Sequence, residues 1–329
     1  MYTAVRTPLR VSFFGGGTDY PEYFARSPGA VLGMAIDQYI YVTALNRPRF
    51  LKHEFQLSYS RLERVSSIAE IAHPAIRKAL ELHNFVDPFD LTTLASLPSQ
   101  TGLGSSASFM VGLLKLLAVI GKSNPTKYEL ALEAIRIERI ELGHTCGVQD
   151  QLHAAFGGWN CFEFSGEKIT QRPVLARQSV LEGLARSMYL VFTGQTRSAP
   201  QAIASQIEST VSGKIDDELA AAYEMVNQGL ALIERGSDDV VEKFGNLLHQ
   251  SWVLKRQFAR SVSNEDIDNL YEHGRRNGAI GGKLCGAGSG GFLLFVVDLA
   301  REDEFLQAFE PTSYVKLGCD WNGVTLLNG

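Results

Sequence analysis

One segment constrains the fold of this chain more than any other: residues 97–110, Leu-Pro-Ser-Gln-Thr-Gly-Leu-Gly-Ser-Ser-Ala-Ser-Phe-Met. It joins a predicted strand over 89–96 to a predicted helix over 105–120. Gly102 and Gly104 permit tight turns and a close approach of the backbone to a ligand. Two serines then follow where the first amides of the helix are unpaired and its dipole is positive. This joint favours a phosphate, and a nucleotide with its magnesium is the ligand that we expect.

The composition is typical of a soluble globular protein, with 45% hydrophobic and 20% charged residues among 329. That length suits one large domain or two ordinary ones. A net charge of -5 gives no electrostatic reason to expect nucleic acid or an anionic membrane as partner. The apolar run 111–120 is broken by Lys115 and is too short to span a bilayer.

Targeting and redox signals favour the cytoplasm. Residues 1–10 lack the apolar stretch of a signal peptide. Four cysteines are scattered without a Cys-x-x-Cys pair, which predicts reduced thiols rather than disulfides or a zinc site. The seven histidines form no His-x-x-x-His pair, so no transition-metal site is expected.

The order of predicted elements indicates an α+β fold in two lobes, 1–160 and 161–329. Strand-like runs cover 9–14, 30–45, 55–65 and 89–96, with a short helix over 74–83 between the last two. Asn124 and Pro125 predict the cap and first residue of a helix that runs to about residue 142. Strands resume at Trp159, and a helical tract over 199–277 is interrupted near 212–213 and 236–237. An apolar strand over 292–297, a helix and a strand complete the chain.

Two further Gly-rich segments flank the first one in sequence, at 14–20 and 284–291. Neither is the Gly-x-Gly-x-x-Gly fingerprint of a dinucleotide fold, and the chain contains no Gly-x-x-x-x-Gly-Lys-[Ser/Thr] loop. Each segment alone is compatible with an ordinary tight turn. Three of them suggest that the backbone closely approaches one ligand in one shared cleft.

Glu138 is predicted on an otherwise apolar helix face, since Ala131, Ile135, Glu138 and Leu142 fall at helical spacing. A carboxylate in that position must be paired or coordinate a cation. Magnesium is one partner, because it prefers hard oxygen ligands beside phosphates. A half-buried salt bridge to a neighbouring arginine is the alternative.

Three more polar residues are candidates for a role in the chemistry. Asp150 follows a glycine-containing loop, where it is either a helix cap or a group that positions or deprotonates an attacking hydroxyl. Arg10 is either an edge-strand arginine or a guanidinium that holds a nearby carboxylate. Asp19 is either a turn former or an acceptor for sugar hydroxyls.

In order and spacing these pieces resemble the GHMP kinases, the family of galactokinase, homoserine, mevalonate and phosphomevalonate kinases. The first motif matches 10–20, the second, Pro-x-x-x-Gly-Leu-Gly-Ser-Ser-Ala, matches 98–107, and the third matches 283–291. The resemblance covers nearly the whole chain. It implies a two-lobed α+β fold, with an N-terminal lobe like ribosomal protein S5, a ferredoxin-like C-terminal lobe, and the active site between them.

The resemblance also implies roles for individual residues. The ATP phosphates would lie against Gly102, Leu103, Gly104, Ser105, Ser106 and Ala107. Ser106 and Glu138 would bind magnesium, Asp150 would be the catalytic aspartate, and Arg10 would support it. On the substrate side it implicates Gly16, Gly17, Thr18, Asp19, Gly286 and Gly288.

The first motif departs from galactokinase, which carries Glu-His where this chain has Gly16 and Gly17. The Gly-Gly-Gly-Thr-Asp-Tyr form resembles the branch that contains heptose 7-phosphate kinases, and also fucokinase-type sequences. This implies a heptose 7-phosphate as substrate, phosphorylated at O1, and a second cationic pocket for which Arg197, Lys255 and Lys283 are candidates. Arg197 and Lys255 could equally be solvated surface charges. A fucose or hexose 1-kinase and a non-catalytic sugar- and ATP-binding regulator stay as alternatives, and a homodimer stays open.

Overall fold

The computed structural model describes residues 2–47, 54–85, 87–196, 200–259 and 261–327, without the side chains of 200–203. The strands are β1 Tyr2–Phe14, β2 Gly29–Asn46, β3 Phe55–Ser58, β4 Leu62–Val65, β5 Phe89–Ala95, β6 Trp159–Ser165, β7 Lys168–Pro173, β8 Met188–Phe192, β9 Ala279–Leu284, β10 Phe292–Val297, β11 Tyr314–Lys316 and β12 Thr325–Leu326. The helices are α1 Pro21–Phe24, α2 Pro74–Leu82, α3 Ser105–Ile120, α4 Lys127–Arg136, α5 Gln149–Phe156, α6 Gln178–Arg186, α7 Pro200–Val211, α8 Asp216–Arg235, α9 Val240–Lys255, α10 Glu265–Arg276 and α11 Glu302–Gln307.

The larger sheet is built around the long hairpin of β1 and β2. Its main path is β12-β1-β2-β5-β3-β4, and β6 and β7 extend it beside the first half of β2. On that side, β2 pairs with β6 from Gly29 to Met34 and with β5 from Ile40 onward. Arg10 of β1 lies opposite Ala35 of β2, at the level where the strand beside β2 changes from β6 to β5. The helices α3 and α5 pack over β1 and β2 at this position.

The smaller sheet has the strand order β11-β8-β10-β9, with every pairing antiparallel. Helices follow β8 and β10 in the chain, which gives the βαββαβ pattern of a ferredoxin-like unit. The very apolar β10 is buried along its whole length. The α+β fold and the ferredoxin-like second lobe are confirmed.

The helix that carries Glu138 begins later than the sequence predicted. Thr126 is its cap, accepting from the backbone N–H of Glu129, whose carboxylate accepts from the Thr126 N–H in return. The expectation that Asn124 caps the helix was wrong, because this reciprocal capping box satisfies two orphan donors two residues further on. After α4 the helix continues as a π-helical segment, Ile137–Glu141.

The residues that follow the predicted division at residue 160 form further strands of the larger sheet. Strand β6 spans the predicted division at residue 160, and both β6 and β7 pair within the larger sheet. Strand β12 returns to that sheet beside β1. The lobe boundary at residue 160 stays a prediction. The larger sheet contains strands from both sides of that residue.

The two sheets share much of one apolar core. Phe244 on α9 makes edge contacts with Phe13 and Phe14 of β1, at centroid distances of 5.1 and 5.2 Å, and with Trp159 of β6. The helix α9 also packs against β9 and β10. Within the described parts of the chain, no helix combines the length and apolar character needed to cross a bilayer.

Candidate active site

A cavity of about 230 Å³ opens where the end of β1, the turn before α3, the start of α5 and the β9–β10 loop meet. All three Gly-rich segments contribute to its wall, which confirms the expectation of one shared cleft. The residues lining it are Arg10, Ser12, Gly16, Gly17, Asp19, Tyr20, Gly102, Gly104, Ser105, Ser106, Cys146, Gly147, Gln149, Asp150, Gln206, Lys255, Phe258, Lys283, Gly286 and Ala287.

Two of the Gly-rich loops touch through their backbones. A Cβ atom on Gly102 would lie 2.5 Å from the carbonyl oxygen of Cys285, and one on Gly286 would lie 2.5 Å from the Gly102 Cα. Both glycines have positive φ, +81° and +68°. Since any side chain would collide with backbone and strain the turn, these positions require glycine. The contact joins the turn before α3 to the C-terminal half of the chain.

Arg10 is buried, and its guanidinium forms a bidentate ion pair with Asp150. Its Nε donates to Oδ1 and its Nη2 to Oδ2, each at 2.8 Å, while Nη1 donates to the carbonyl of Gly102 at 2.6 Å. Burial opposes the charge of Arg10, but Asp150, with smaller contributions from Cys285 and Asp19, outweighs it, so the pKa of Arg10 is raised. Arg10 is therefore no surface arginine.

Asp150 is the second residue of α5 and does not cap it, because Val148 occupies the cap position. Its side chain remains 27% exposed, facing the cavity, although both oxygens accept from Arg10. A Cβ on Gly104 would come within 3.4 Å of Asp150 Oδ2. The absent side chain therefore leaves the turn before α3 close beside this carboxylate.

Asp19 is a second, more deeply buried carboxylate in the same wall. Its Oδ1 accepts from the backbone N–H of Gly17 at 3.1 Å, and its Oδ2 accepts from that of Gln149 at 3.4 Å. Burial, reinforced by the charge of Asp150, raises the pKa of Asp19. A buried carboxylate that still borders a cavity can accept hydroxyl donors from a ligand.

Ser106 and Glu138, predicted from separate segments, lie together. The Ser106 Oγ donates to Glu138 Oε1 at 2.8 Å, and the Gln151 Nε2 donates to Oε2 at 2.5 Å. Burial raises the pKa of Glu138 against these hydrogen bonds. The alternative of a salt bridge to a neighbouring arginine was wrong, because Arg136 pairs with Glu141 and Arg139 with Glu22.

A second, open groove of about 860 Å³ begins at the same serines. Ser105 and Ser106 line both the cavity and this groove, which also takes in Glu138. Its other side is apolar and aromatic, including Tyr59 and Phe109. Two sites therefore meet at the start of α3, where the unpaired helix amides and the dipole favour an anion.

Two lysines, the buried Lys283 and the half-buried Lys255, approach the cavity from the C-terminal half. Lys283 Nζ donates to the carbonyl of Phe13 at 2.9 Å, and burial lowers the pKa of Lys283 to about 8. Lys255 Nζ donates to the carbonyls of Leu284, at 2.9 Å, and Gly286. Burial, with the charge of Lys283, lowers the pKa of Lys255 well below its usual value. Lys255 is thus not a solvated surface charge, whereas Arg197 lies outside the described residues.

Several residues singled out in the sequence have other surroundings. Thr18 is fully buried, and its hydroxyl donates to the carbonyls of Gly15 and Ala30. Leu103, in the turn before α3, and Ala107, in the first turn of α3, are buried, and Gly288 packs on the backbone of Val262. These four shape the loops and, in the part of the chain that the structure describes, do not line the cavity.

The two first-motif glycines differ in what they leave free. A Cβ on Gly16 would meet nothing within 4 Å, so this position opens space in the cavity. A Cβ on Gly17 would press on Gln206 at 2.9 Å, and its φ of +105° also favours glycine. Gly16 therefore enlarges the cavity, while Gly17 is required by the backbone.

Sequence reasoning missed Gln149 and Gln151, which flank Asp150. Both are buried; the backbone N–H of Gln149 donates to Asp19, and the side chain of Gln151 donates to Glu138. The available signal was two amides at the start of a helix beside a candidate catalytic carboxylate. Among the described residues, no cluster of three or more histidine, cysteine, aspartate or glutamate side chains could hold a metal ion. A cation at Glu138 would therefore need ligands from a bound phosphate.

Comparison with known proteins matches the N-terminal and the C-terminal parts of the chain to one family. The family model of the GHMP kinases N terminal domain matches residues 63–158, and that of the GHMP kinases C terminal domain matches 232–316. The D-glycero-alpha-D-manno-heptose 7-phosphate kinase of Campylobacter jejuni is 31% identical over 92% of this chain and 91% of its own length.

Two further relatives extend the comparison. The bifunctional fucokinase/GDP-fucose pyrophosphorylase of Arabidopsis thaliana is 27% identical over 94% of this chain but only 31% of its own length. A D-glycero-D-manno-heptose 1-phosphate kinase from Bacteroides thetaiotaomicron has the same fold, with a TM-score of 0.78 at 22% identity over 99% of both chains. This chain belongs to the GHMP kinases and is an ATP-dependent sugar kinase of that family.

Proposed function

We propose that this kinase transfers the γ-phosphoryl group of ATP to the anomeric O1 of D-glycero-D-manno-heptose 7-phosphate, giving the 1,7-bisphosphate. The observation that carries the proposal is the Arg10–Asp150 pair in a cavity that meets a second groove at Ser105 and Ser106. Similarity to the C. jejuni heptose 7-phosphate kinase over most of both chains supports the choice of sugar.

In this proposal the acceptor sugar occupies the cavity and ATP occupies the groove. The phosphates lie at the start of α3, where Gly102 to Ser106 expose backbone amides. Asp150 orients the O1 hydroxyl or takes its proton, with its own oxygens fixed by the two bonds from Arg10. Both roles stay open, because a loose transition state needs little base assistance.

Ser106 and Glu138 are the residues that would hold magnesium, and their chemistry fits the ion. They supply one hydroxyl and one buried carboxylate, whose two hydrogen-bond donors, Ser106 and Gln151, are neutral. Magnesium favours hard oxygens and often takes only one or two carboxylates beside substrate phosphates. When bound, the ion would neutralise charge on the phosphates.

Replacing Glu138 by Gln tests this metal site. The variant keeps the shape and can still accept from Gln151 while its NH₂ donates to the Ser106 hydroxyl, but it removes the charge. We therefore expect the Mg²⁺ concentration for half-maximal rate to rise roughly tenfold or more. The affinity for Mn²⁺, measured by titration in the presence of ADP, should fall in parallel. Glu141→Gln, which changes a carboxylate already paired with Arg136, is the control. Equal metal dependence in both variants would remove Glu138 from the site.

Lys283 and Lys255 support a substrate that already carries a phosphate. Their hydrogen-bond acceptors are backbone carbonyls, and burial lowers the pKa of each. An arriving phosphate would favour the charged ammonium form and be held by it. The space beside Gly16 supports a sugar larger than a hexose.

The cellular setting follows as part of the proposal. All four cysteines are free thiols, which fits a reducing compartment, and we place the enzyme in the cytoplasm. Its partner is the small sugar phosphate, and neither nucleic acid nor membrane is part of the reaction.

A coupled ADP-release assay over a panel of sugars tests the proposal. The panel contains the heptose 7-phosphate, the unphosphorylated heptose, fucose, galactose and mannose. We expect turnover of the heptose 7-phosphate alone, with a ³¹P NMR signal of an anomeric phosphate in the product. Consumption of free fucose or galactose would make the chain a different sugar 1-kinase. ATP and sugar binding without ADP release would make it a regulator.

A further inference from the structure

Gln149 has a polar atom that nothing in the described structure satisfies. The side chain is only 7% exposed and lines the cavity. Its Oε1 is buried and has no hydrogen-bond partner among the described residues. Buried acceptors in native proteins are nearly always paired, so an orphan atom at a cavity wall calls for a missing partner. A ligand in the cavity is the partner that this location allows.

The orientation of this amide is fixed by Asp19. The carboxylate accepts from two backbone N–H groups, those of Gly17 and Gln149, and the Gln149 side chain beside it stabilises its charged form and so lowers the pKa of Asp19 against the larger effect of burial. Since the carboxylate accepts, the side-chain NH₂ of Gln149 must face it. The Oε1 atom is therefore the end of the amide that Asp19 does not engage.

The backbone before Gln149 is held so tightly that this arrangement cannot relax easily. A Cβ on Gly147 would lie 2.0 Å from Asp19 Oδ2, and the Val148 N–H donates to the Asp19 carbonyl at 3.1 Å. The start of α5 is thus locked against Asp19. The same helix start holds Asp150, the next residue, at the cavity wall.

We propose that Gln149 Oε1 and the Asp19 carboxylate form a paired acceptor site for hydroxyl groups of the acceptor sugar other than the one that attacks ATP. Gln149 is then a specificity-determining substrate-binding residue. A sugar hydroxyl is the matching chemistry, because it donates one hydrogen bond and is neutral, as the crowded, negatively charged surroundings of Asp19 and Asp150 require. The inference rests on the proposed function, since it places the sugar in this cavity.

The test combines Gln149→Met with a panel of deoxy sugars. Methionine keeps the volume but cannot accept this hydrogen bond. On the parent sugar phosphate we expect kcat/KM to fall roughly tenfold or more, with KM for ATP unchanged. The wild-type enzyme should lose a similar factor on one deoxy analogue, and the variant should lose nothing further on that analogue. Gln250→Met, an exposed glutamine on α9, is the matched control and should behave as wild type.

Each outcome decides the inference. Wild-type activity in Gln149→Met, or a further loss by the variant on every deoxy analogue, would overturn it. Should the variant fold poorly, as judged by its thermal midpoint, the wild-type enzyme alone suffices: equal kcat/KM on all deoxy analogues would overturn the inference while leaving the proposed function intact. No turnover of any sugar by the wild-type enzyme would overturn both.

Discussion

Three ionisable side chains in this site owe their arrangement to burial. Arg10 and Asp19 belong to one motif and Asp150 to another segment; the guanidinium donates two hydrogen bonds to Asp150 and also interacts electrostatically with Asp19. Two carboxylates so close together need a compensating positive charge, which Arg10 supplies from within β1. Asp150 keeps part of its surface on the cavity, whereas Asp19 is fully enclosed. These surroundings agree with the proposed roles, in which Asp150 contacts the reacting hydroxyl and Asp19 holds the sugar.

Asp150→Asn should separate chemistry from binding. The amide keeps the shape but can neither take a proton nor carry the charge, so kcat should fall by about 10²–10⁴. KM for ATP should stay near the wild-type value, because Asp150 belongs to the cavity and not to the groove. Asp216→Asn, at the exposed Arg26–Asp216 pair, is the control and should leave kcat unchanged. Full activity in Asp150→Asn would exclude Asp150 from the mechanism.

Loss of the proton from Lys283 should lower kcat/KM at alkaline pH. Burial lowers its pKa to about 8, so the free enzyme loses this positive charge as the pH rises through 8. kcat/KM for the sugar phosphate should then fall by about tenfold per pH unit above that point, since the phosphate loses its ammonium partner.

Lys283→Arg provides the check, because a guanidinium stays charged over this range. We expect the alkaline limb to move upward or vanish in this variant, while kcat/KM for ATP at saturating sugar has no limb near pH 8 in either enzyme. An unchanged limb in Lys283→Arg would assign it to another group.

At the scale of elements, the glycine turns hold the two halves of the cleft in contact. The turn before α3 and the β9–β10 loop approach so closely that no side chain fits between them at Gly102 or Gly286. The position of the helix start, and with it the anion site, depends on this contact. The tight turn is therefore a packing surface as well as the proposed phosphate-binding segment.

Gly102→Ala should disturb the nucleotide side of the site. The added Cβ would lie 2.5 Å from the Cys285 carbonyl oxygen, and the residue would keep an unfavourable φ of +81°. We expect KM for ATP to rise and the free energy of unfolding to fall by more than backbone strain alone explains. Gly166→Ala, with φ +59° and nothing within 4 Å, isolates that strain at about 1–2 kcal/mol. Equal effects of both substitutions on stability and KM would contradict the packing role.

At the scale of the whole molecule, we expect the two sheets to unfold together. One apolar cluster includes residues of both sheets, and Phe244 of α9 lies on β1 and β6 at the centre of the contact. The larger sheet also takes its last strand, β12, from the end of the chain. The larger sheet and one face of the smaller sheet therefore share a core, while the other face of the smaller sheet has its own apolar cluster, centred on Phe295 and Phe305.

Phe244→Ala measures this coupling. Removing a fully buried ring should lower the free energy of unfolding by about 3–5 kcal/mol, yet leave a single denaturant transition seen alike by tryptophan fluorescence and far-UV circular dichroism. Val253→Ala, on the exposed side of α9, should change stability by about 0.5 kcal/mol or less. Two separate transitions in the wild-type protein would show independent lobes.

Local patterns predicted most of the elements. Helix α3 has the predicted bounds, and the predicted breaks in the long helical tract separate α7, α8 and α9. These elements follow from short-range signals such as periodicity, glycine and proline. The cap of α4 was misplaced by two residues, since a reciprocal Thr126–Glu129 box outweighs the Asn124-Pro125 signal.

The sequence by itself determined which residue types could do chemistry, because motif order and spacing are local properties that identify the GHMP kinase turn and its neighbours. Only the tertiary structure decided which of them meet. Asp150 reaches Arg10 across 140 residues, Ser106 reaches Glu138 across 32, and Thr18 turns away into its own loop. Such contacts depend on strand register and helix packing, and no local pattern encodes whether a buried atom such as Gln149 Oε1 is left without a partner.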